Sequence, residues 1–418
     1  AVGLPSLGIK IALLINSFNW LLCRIFLGMA TFFARLFPYP YIAVPSPIKL
    51  TLYYAAVLIF VFWKPLTFQL RLFVMRLRDV FEERELIKRA LPAAAGAVVF
   101  IAVAVAALSA LKKDTMRVTF TDVSFGNSVL VESPDGKTIL IDTGQGGSRD
   151  SGSNVLAPLL SKYNISQIDY LLFTSLKSNT IGGAPYLLEH WKVGKILLPY
   201  DPSRIPYGSS YYDFLSAVGD YTLASNPRSP SAATLYISWY ELVKTFRQKE
   251  IPHEGIHSGD VIYSVKKGGK EFRAEALASP LDSAAQEAGV CVKISYGKNS
   301  VLIIPQSGRD AQWEVVDHGT ATLRSDIILL PKNGNPAAIT DEILAAAGYP
   351  RYAVIQYGYV PRALRPADYF YDSDLQRTID KLNACGIPDV YRTDKDGAVI
   401  AVSDGENLEV RTVLKARR

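Results

Sequence analysis

Twenty-two consecutive uncharged residues, Ala90 to Leu111, set the strongest constraint on this chain. The run ALPAAAGAVVFIAVAVAALSAL is long enough for a helix to cross a hydrocarbon layer of about 30 Å. A helix packed on a water-soluble core keeps a polar stripe, and this run has none. Lys112 and Lys113 close it abruptly, and it reads as a membrane span. Ile48 to Trp63 is a shorter candidate with one lysine near its start. Ile11 to Phe37 is apolar but interrupted by Asn16, Asn19, Arg24 and Arg35. That pattern suits a span facing other helices, or a re-entrant piece lining a polar path.

Residues 65–89 join the last two spans. Leu70, Phe73, Val74, Val80 and Phe81 are interspersed with Arg71, Arg76 and Arg78, the pattern of an amphipathic helix on a membrane surface. Lys64 to Arg89 holds seven Lys or Arg residues, whereas Pro38 to Pro47 holds none. The positive-inside rule places the basic connector in the cytoplasm, so the third span leads outward. Residues 1–115 are therefore expected to be transmembrane helices with a cytoplasmic connector, and residues 116–418 a domain outside the cytoplasm. The expected location is the cytoplasmic (inner) membrane, crossed several times, with the lipid bilayer as a partner. The chain opens on Ala1 without a signal-peptide pattern, which predicts a fragment whose upstream part is missing.

The formal charge of +6 is too small to argue for nucleic acid by itself. Cys23, Cys291 and Cys385 form no CxxC pair, so neither a disulfide framework nor a cysteine zinc site is expected. Beyond Met116 strands and helices alternate. RVTFTDVS, SVLVESP and KTILIDTG predict three strands, with a hairpin turn at Pro134-Asp-Gly136. Further strands are expected at 168–173 and in KILLP, GVCVKISYG, NSVLIIPQSG, DIILLPKNG, YAVIQYG, VYRT and AVIAVS. Helices are expected near 156–163, 184–191, 311–316, 341–347 and 373–384. Two β-rich halves with outer helices imply an α/β fold built as a four-layer αββα sandwich.

The order TDVSFGNSVLVESPDGKTILIDTG, IDYLLFTSLKSNTIGGAPYLLE, YGKNSVLIIPQSG, SDIILLPKNGN, AVIQYG and VYRTDKDGAVIAV resembles the metallo-β-lactamase-like domain of ComEC-type DNA-internalisation competence proteins. The sharpest matches are Thr174 with Ile181-Gly182-Gly183, Ile141-Asp142-Thr143-Gly144, and Tyr391-Arg392-Thr393-Asp394 with Asp396-Gly397-Ala398. The resemblance implies a metallo-β-lactamase-like sandwich after a bundle of membrane helices. Its implied role is moving transforming DNA across the membrane, with other DNA-uptake proteins as partners.

The departures bear on chemistry. Where the family pattern has a His-x-His-x-Asp-His loop, this chain has Ser175, Lys177, Asn179 and Thr180. A Gly-Asp becomes Pro305-Gln306, a His-His-Gly-Ser stretch becomes Lys332-Asn333-Gly334-Asn335, and a His-Pro becomes Arg365-Pro366. Asp-Val-Gly-Gln-Gly-Asp becomes Asp122-Val-Ser-Phe-Gly-Asn127. Zinc hydrolases need imidazoles and carboxylates, which these replacements do not supply, so no metal, cofactor or catalytic residue is expected. The histidines are His190, His253, His257 and His318. His253 and His257 sit in a segment of loop composition, and the chain has no GxSxG nucleophile elbow.

Lys177, Lys332 and Arg365 fall where the resemblance would converge metal ligands on one cleft, with Asp142, Ser175, Asn179 and Asn333. Two readings stay open. The cations pair with a retained acid such as Asp142 and fill a dead site, or they grip the phosphate backbone of single-stranded DNA without cutting it. Tyr207, Tyr211 and Tyr212 in a nearby insertion could stack bases, although packing explains such residues equally well. The rival function is a catalytically inactive, membrane-tethered binding or scaffold module unrelated to DNA.

Overall fold

Alternating apolar residues in two sets of strands turn one face of each set inward, and that alternation builds the architecture. A computed structural model describes residues 114–147, 150–202, 242–280, 282, 289–304, 307–317, 323–358 and 370–414, with scattered positions between 16 and 57. The first sheet comprises β1 (Met116–Phe120), β2 (Val129–Glu132), β3 (Thr138–Ile141), β4 (Gln167–Leu172), β5 (Lys192–Leu198), β6 (His253–Gly255), β14 (Val399–Ser403) and β15 (Leu408–Thr412). Their order is β15-β14-β1-β2-β3-β4-β5-β6. The second comprises β7 (Val261–Lys267), β8 (Lys270–Ala278), β9 (Cys291–Tyr296), β10 (Asn299–Ile303), β11 (Ile327–Leu329), β12 (Tyr352–Ile355) and β13 (Asp389–Arg392). Their order is β13-β12-β11-β10-β9-β8-β7.

Successive strand residues point to opposite faces, so each strand feeds two cores. Val118, Phe120, Val129, Val131, Ile139 and Ile141 meet Phe272, Ala274, Val292, Ile294, Val301 and Ile303 between the sheets. Their neighbours Leu130, Leu140 and Leu171 face outward and are covered by Leu160, Leu187 and Leu188 of the helices Ala157–Lys162 and Ala184–His190. On the other side Leu302, Ile328 and Ala353 pack on Val315, Ile343, Leu344 and Leu375 of the helices Arg309–Asp317, Asp341–Ala346 and Asp372–Ala384. This is a metallo-β-lactamase-like α/β sandwich with a helix layer on each outer face.

Strands β3 to β6 run parallel, as do β10 to β13. Their C-terminal ends therefore deliver their loops to one end of the sandwich, the usual place for a cleft in layered α/β folds. The opposite end holds the start of β1 at Asp114 and the tight turns Pro134–Gly136 and Gly268-Gly269.

One stretch departs from its expected form. His253-Glu-Gly255 lacks strand propensity, yet it forms edge strand β6, because Ile196, Leu197 and Leu198 offer a parallel ladder to it. Among the described residues no helix is long and apolar enough to cross a membrane. The expected span Ala90–Leu111 and connector 65–89 lie outside the described residues, as do most of 11–37 and 48–63. The tyrosines at 207, 211 and 212 also lie outside them.

Candidate functional site

Three loops of the first sheet meet at its C-terminal end almost without side chains between them. They follow β1, β3 and β4. A Cβ on Gly182 would lie 2.0 Å from the Gly146 nitrogen, and one on Gly183 would lie 2.4 Å from the Thr143 carbonyl oxygen. A Cβ on Gly126 would meet the Asn179 carbonyl oxygen at 2.7 Å. Backbone bonds close these contacts: Asn127 N–H donates to Asn179 O (3.1 Å), Thr143 N–H to Thr180 O (2.6 Å) and Gly182 N–H to Gly144 O (2.9 Å). The Ile181-Gly-Gly183 frame is thus explained by loop-on-loop packing.

Asp142 ends β3 with a left-handed backbone, φ 58°, and a fully buried carboxyl. Its two oxygens accept from the Thr174 backbone N–H (2.8 Å) and the Thr174 hydroxyl (2.5 Å). Burial pushes its pKa up to about 8, against the opposing pull of those two bonds. Of the two open readings, the pairing of Asp142 with a cleft cation is not seen among the described residues. Thr174, on the adjoining strand end, reaches the carboxyl first and takes both of its oxygens.

Of the positions at which the resemblance implies ligands, Ser175, Thr180 and Asn333 hold neutral groups bonded within the protein. The Thr180 hydroxyl lies 2.9 Å from the Ser175 carbonyl, 2.7 Å from the Lys177 carbonyl and 3.1 Å from the Ser175 hydroxyl. Asn333, left-handed at φ 56° and 2% exposed, donates its amide to Gly126 O (3.1 Å) and Gln356 O (2.7 Å). Asn179 joins the web through its backbone carbonyl. Lys177 and Lys332 are half-buried on the loops after β4 and β11. Lys332 also has a left-handed backbone, φ 46°, a conformation held only where surrounding structure enforces it. Arg365 lies outside the described residues, as do Pro305, Gln306 and His318.

Two groups that composition did not single out join the sheets here. The Gln356 amide donates to Thr121 O (2.9 Å) and Ser128 O (2.6 Å), and its oxygen accepts from Asn127 Nδ2 (3.2 Å) and Ser128 N–H (3.3 Å). It lies one residue past β12 in the run YAVIQYG, and a lone amide ending an apolar strand was the available signal. Next to it Phe125, Tyr357 and Phe370 form a buried aromatic cluster with ring centroids 5.2 to 6.0 Å apart. The Arg392-Thr-Asp394 motif braces this cluster. Arg392 pairs with Asp394 and Asp372, and the Thr393 hydroxyl bonds Tyr357 N–H and O.

A divalent cation of the kind this fold holds takes imidazole, thiolate or carboxylate donors. The described residues do not fit one: the cleft offers hydroxyls and amides already bonded to each other, and its one buried carboxyl is held by Thr174. Among the described residues no three His, Cys, Asp or Glu side chains converge. His190 Nδ1 lies 2.8 Å from Tyr186 O, His253 Nδ1 lies 2.9 Å from Ile251 O, and His257 Nδ1 lies 2.8 Å from Asp282 Oδ1, at three separate places. Asp282 keeps the His257 imidazole protonated to higher pH than usual.

Residues 121–269 match the family model of the Metallo-beta-lactamase superfamily. ComE operon protein 3 of Bacillus subtilis (strain 168) is 22% identical over 295 residues, 68% of this chain. The match takes in 32% of that protein, so the chain spans about a third of its relative's length. Among solved structures, a diphosphatase of the PhnP family shares 12% identity with a TM-score of 0.31, over 61% of this chain and 93% of that one. The diiron β-hydroxylase CmlA of Streptomyces venezuelae shares 13% with a TM-score of 0.34, over 68% of this chain and 53% of that one. The domain beyond Met116 carries the metallo-β-lactamase-like sandwich.

Proposed function

We propose that this chain belongs to a DNA-uptake channel of the natural-transformation type. In this reading its outer domain has exchanged a metal site for a non-cleaving surface that holds the phosphate backbone of single-stranded DNA. The observation that carries the reading is the kind of replacement in the cleft. Positions at which the resemblance implies ligands hold Ser175, Thr180 and Asn333, bonded within the protein, and the cations Lys177 and Lys332. Ammonium groups at these positions suit an oxyanion and repel a divalent cation. The distant likeness to ComE operon protein 3 supports the transport context.

The scaffold alternative draws on a different observation. The three loops are locked through glycine contacts and an aromatic cluster fills the adjoining space, leaving a floor that serves packing. One experiment separates the two. Each phosphate that a protein ceases to neutralise lowers the salt slope of single-strand binding by about 0.7. Lys177→Ala with Lys332→Ala is expected to weaken single-stranded DNA binding and flatten that slope. Unchanged affinity and slope reject the DNA reading in favour of a scaffold. Tightly bound stoichiometric metal in the purified protein would reject the exchange of the metal site.

A further inference from the structure

The first sheet ends at β15, whose outer edge pairs with no other strand among the described residues. The ladder to β14 fixes which backbone groups that edge presents. Across the turn Asp404 N–H donates to Asn407 O (3.3 Å), and beyond the strand Val413 N–H donates to Ala398 O (3.0 Å). Hydrogen-bonded pairs alternate along an antiparallel ladder, so Glu409 and Arg411, opposite Val402 and Ile400, turn their N–H and C=O toward β14. Leu408, Val410 and Thr412 therefore hold theirs on the open edge. The side chains alternate too. Leu408 and Val410 pack against the core between the sheets, whereas Glu409 and Arg411 are exposed on the outer face. Neither charge joins an ion pair among the described residues.

An open edge accepts another strand, and Leu408-Glu-Val-Arg-Thr412 is complementary to itself. A two-fold axis through Val410, normal to the sheet, would set two copies of β15 antiparallel with Val410 facing its own copy. Leu408 would then lie opposite Thr412 of the second copy, so the open-edge groups of both strands meet and the apolar side chains stay on the inner face. Glu409 would lie opposite Arg411 of the second copy, and Arg411 opposite its Glu409. Sliding one strand by two residues keeps the ladder but sets Glu409 against Glu409 or Arg411 against Arg411, and like charges directly opposite are destabilising. The two charges thus select one register. We infer that β15 joins a second copy of this chain edge to edge, through the two-fold pairing centred on Val410. The pairing depends neither on the membrane spans nor on the DNA reading. A strand of five residues is small beside the roughly 1,200–2,000 Å² of a standard interface, so the dimer is weak and reversible.

Sedimentation velocity of the full chain in detergent, over a concentration series, reads the association directly. The native chain is expected to shift from monomer toward dimer as concentration rises. Glu409→Arg sets arginine against arginine at both cross-strand positions, and Arg411→Glu sets glutamate against glutamate. Each is expected to weaken the dimer about tenfold. Combining Glu409→Arg with Arg411→Glu in one chain restores both opposite-charge pairs, and mixing the two single variants restores them between chains. Both are expected to recover the association. A folding defect in a single variant would persist in the mixture, so recovery there isolates the pairing. A native chain that stays monomeric throughout the series overturns the dimer. Association unchanged in both single variants, or not recovered in the mixture and the double variant, overturns the pairing through β15.

Discussion

Asp142 does not behave as an ordinary carboxylate. Its folded pKa, about 8, lies above the ordinary carboxylate value of 3.8, so between those values the folded chain holds a proton that the unfolded chain has released. The stability this contributes is fully present below pH 3.8 and is lost as pH rises through about 8, with a slope approaching about 1.4 kcal/mol per pH unit. Asp142→Asn mimics the protonated acid, its oxygen accepting from Thr174 N–H and its amide donating to the Thr174 hydroxyl. Denaturant midpoints from pH 5 to 9 should fall for the native chain and stay nearly flat for this variant; parallel curves would refute the assignment. Gln356→Leu removes the donor to the buried Thr121 carbonyl and the acceptor of the Ser128 N–H, and an unsatisfied buried group costs about 1–3 kcal/mol. Chemical denaturation should show a loss in that range or above.

At the scale of elements, the loops of the cleft are fixed by contacts that only glycine allows. Gly182→Ala places a methyl group 2.0 Å from the Gly146 nitrogen, inside any permitted approach. A loss of about 3 kcal/mol or more is expected, and a change under about 0.5 kcal/mol, typical of a surface site, would show that the loops part easily. The motif Ile181-Gly-Gly183 was visible in the sequence, but its reason was not, because the partner glycine lies on another loop. Strands rich in Val, Ile and Leu, such as β3, β10 and β11, were equally visible. By contrast β7, β8 and β15 alternate apolar residues with Lys, Glu and Arg, and Ala274 and Ala276 carry little strand preference. Their place depends on sheet partners far along the chain. Gln356 escaped notice for the same reason: its four bonds all reach loops more than two hundred residues earlier.

On the scale of the whole molecule, the proposed direction of the span 90–111 decides where the sandwich works. An outward-leading third span predicts that protease added to intact spheroplasts removes the domain beyond Met116. Protection until the membrane is broken would place it in the cytoplasm and reverse the proposed topology. The charge bias of 64–89 carried that inference in the sequence, whereas the gathering of Lys267, Lys270 and Lys298 with Asp114, Asp404 and Glu406 at one end of the sandwich did not show. Its lysines come from turns separated along the chain, gathered only when β7 to β10 pair. Nor was the aromatic cluster of Phe125, Tyr357 and Phe370 legible, since its members come from opposite sheets.

The central place of β1 has a temporal consequence. It is flanked by β2 on one side and by β14 on the other, with Met116 paired to Ser403, far along the sequence. During synthesis β1 waits with one edge bare until the residues of β14 have left the ribosome. Folding that depends on so distant a partner is slow, and a bare edge invites pairing with other chains. A ribosome stalled before β14, or a message truncated there, should therefore release a chain prone to aggregate, however sound the rest of its sequence.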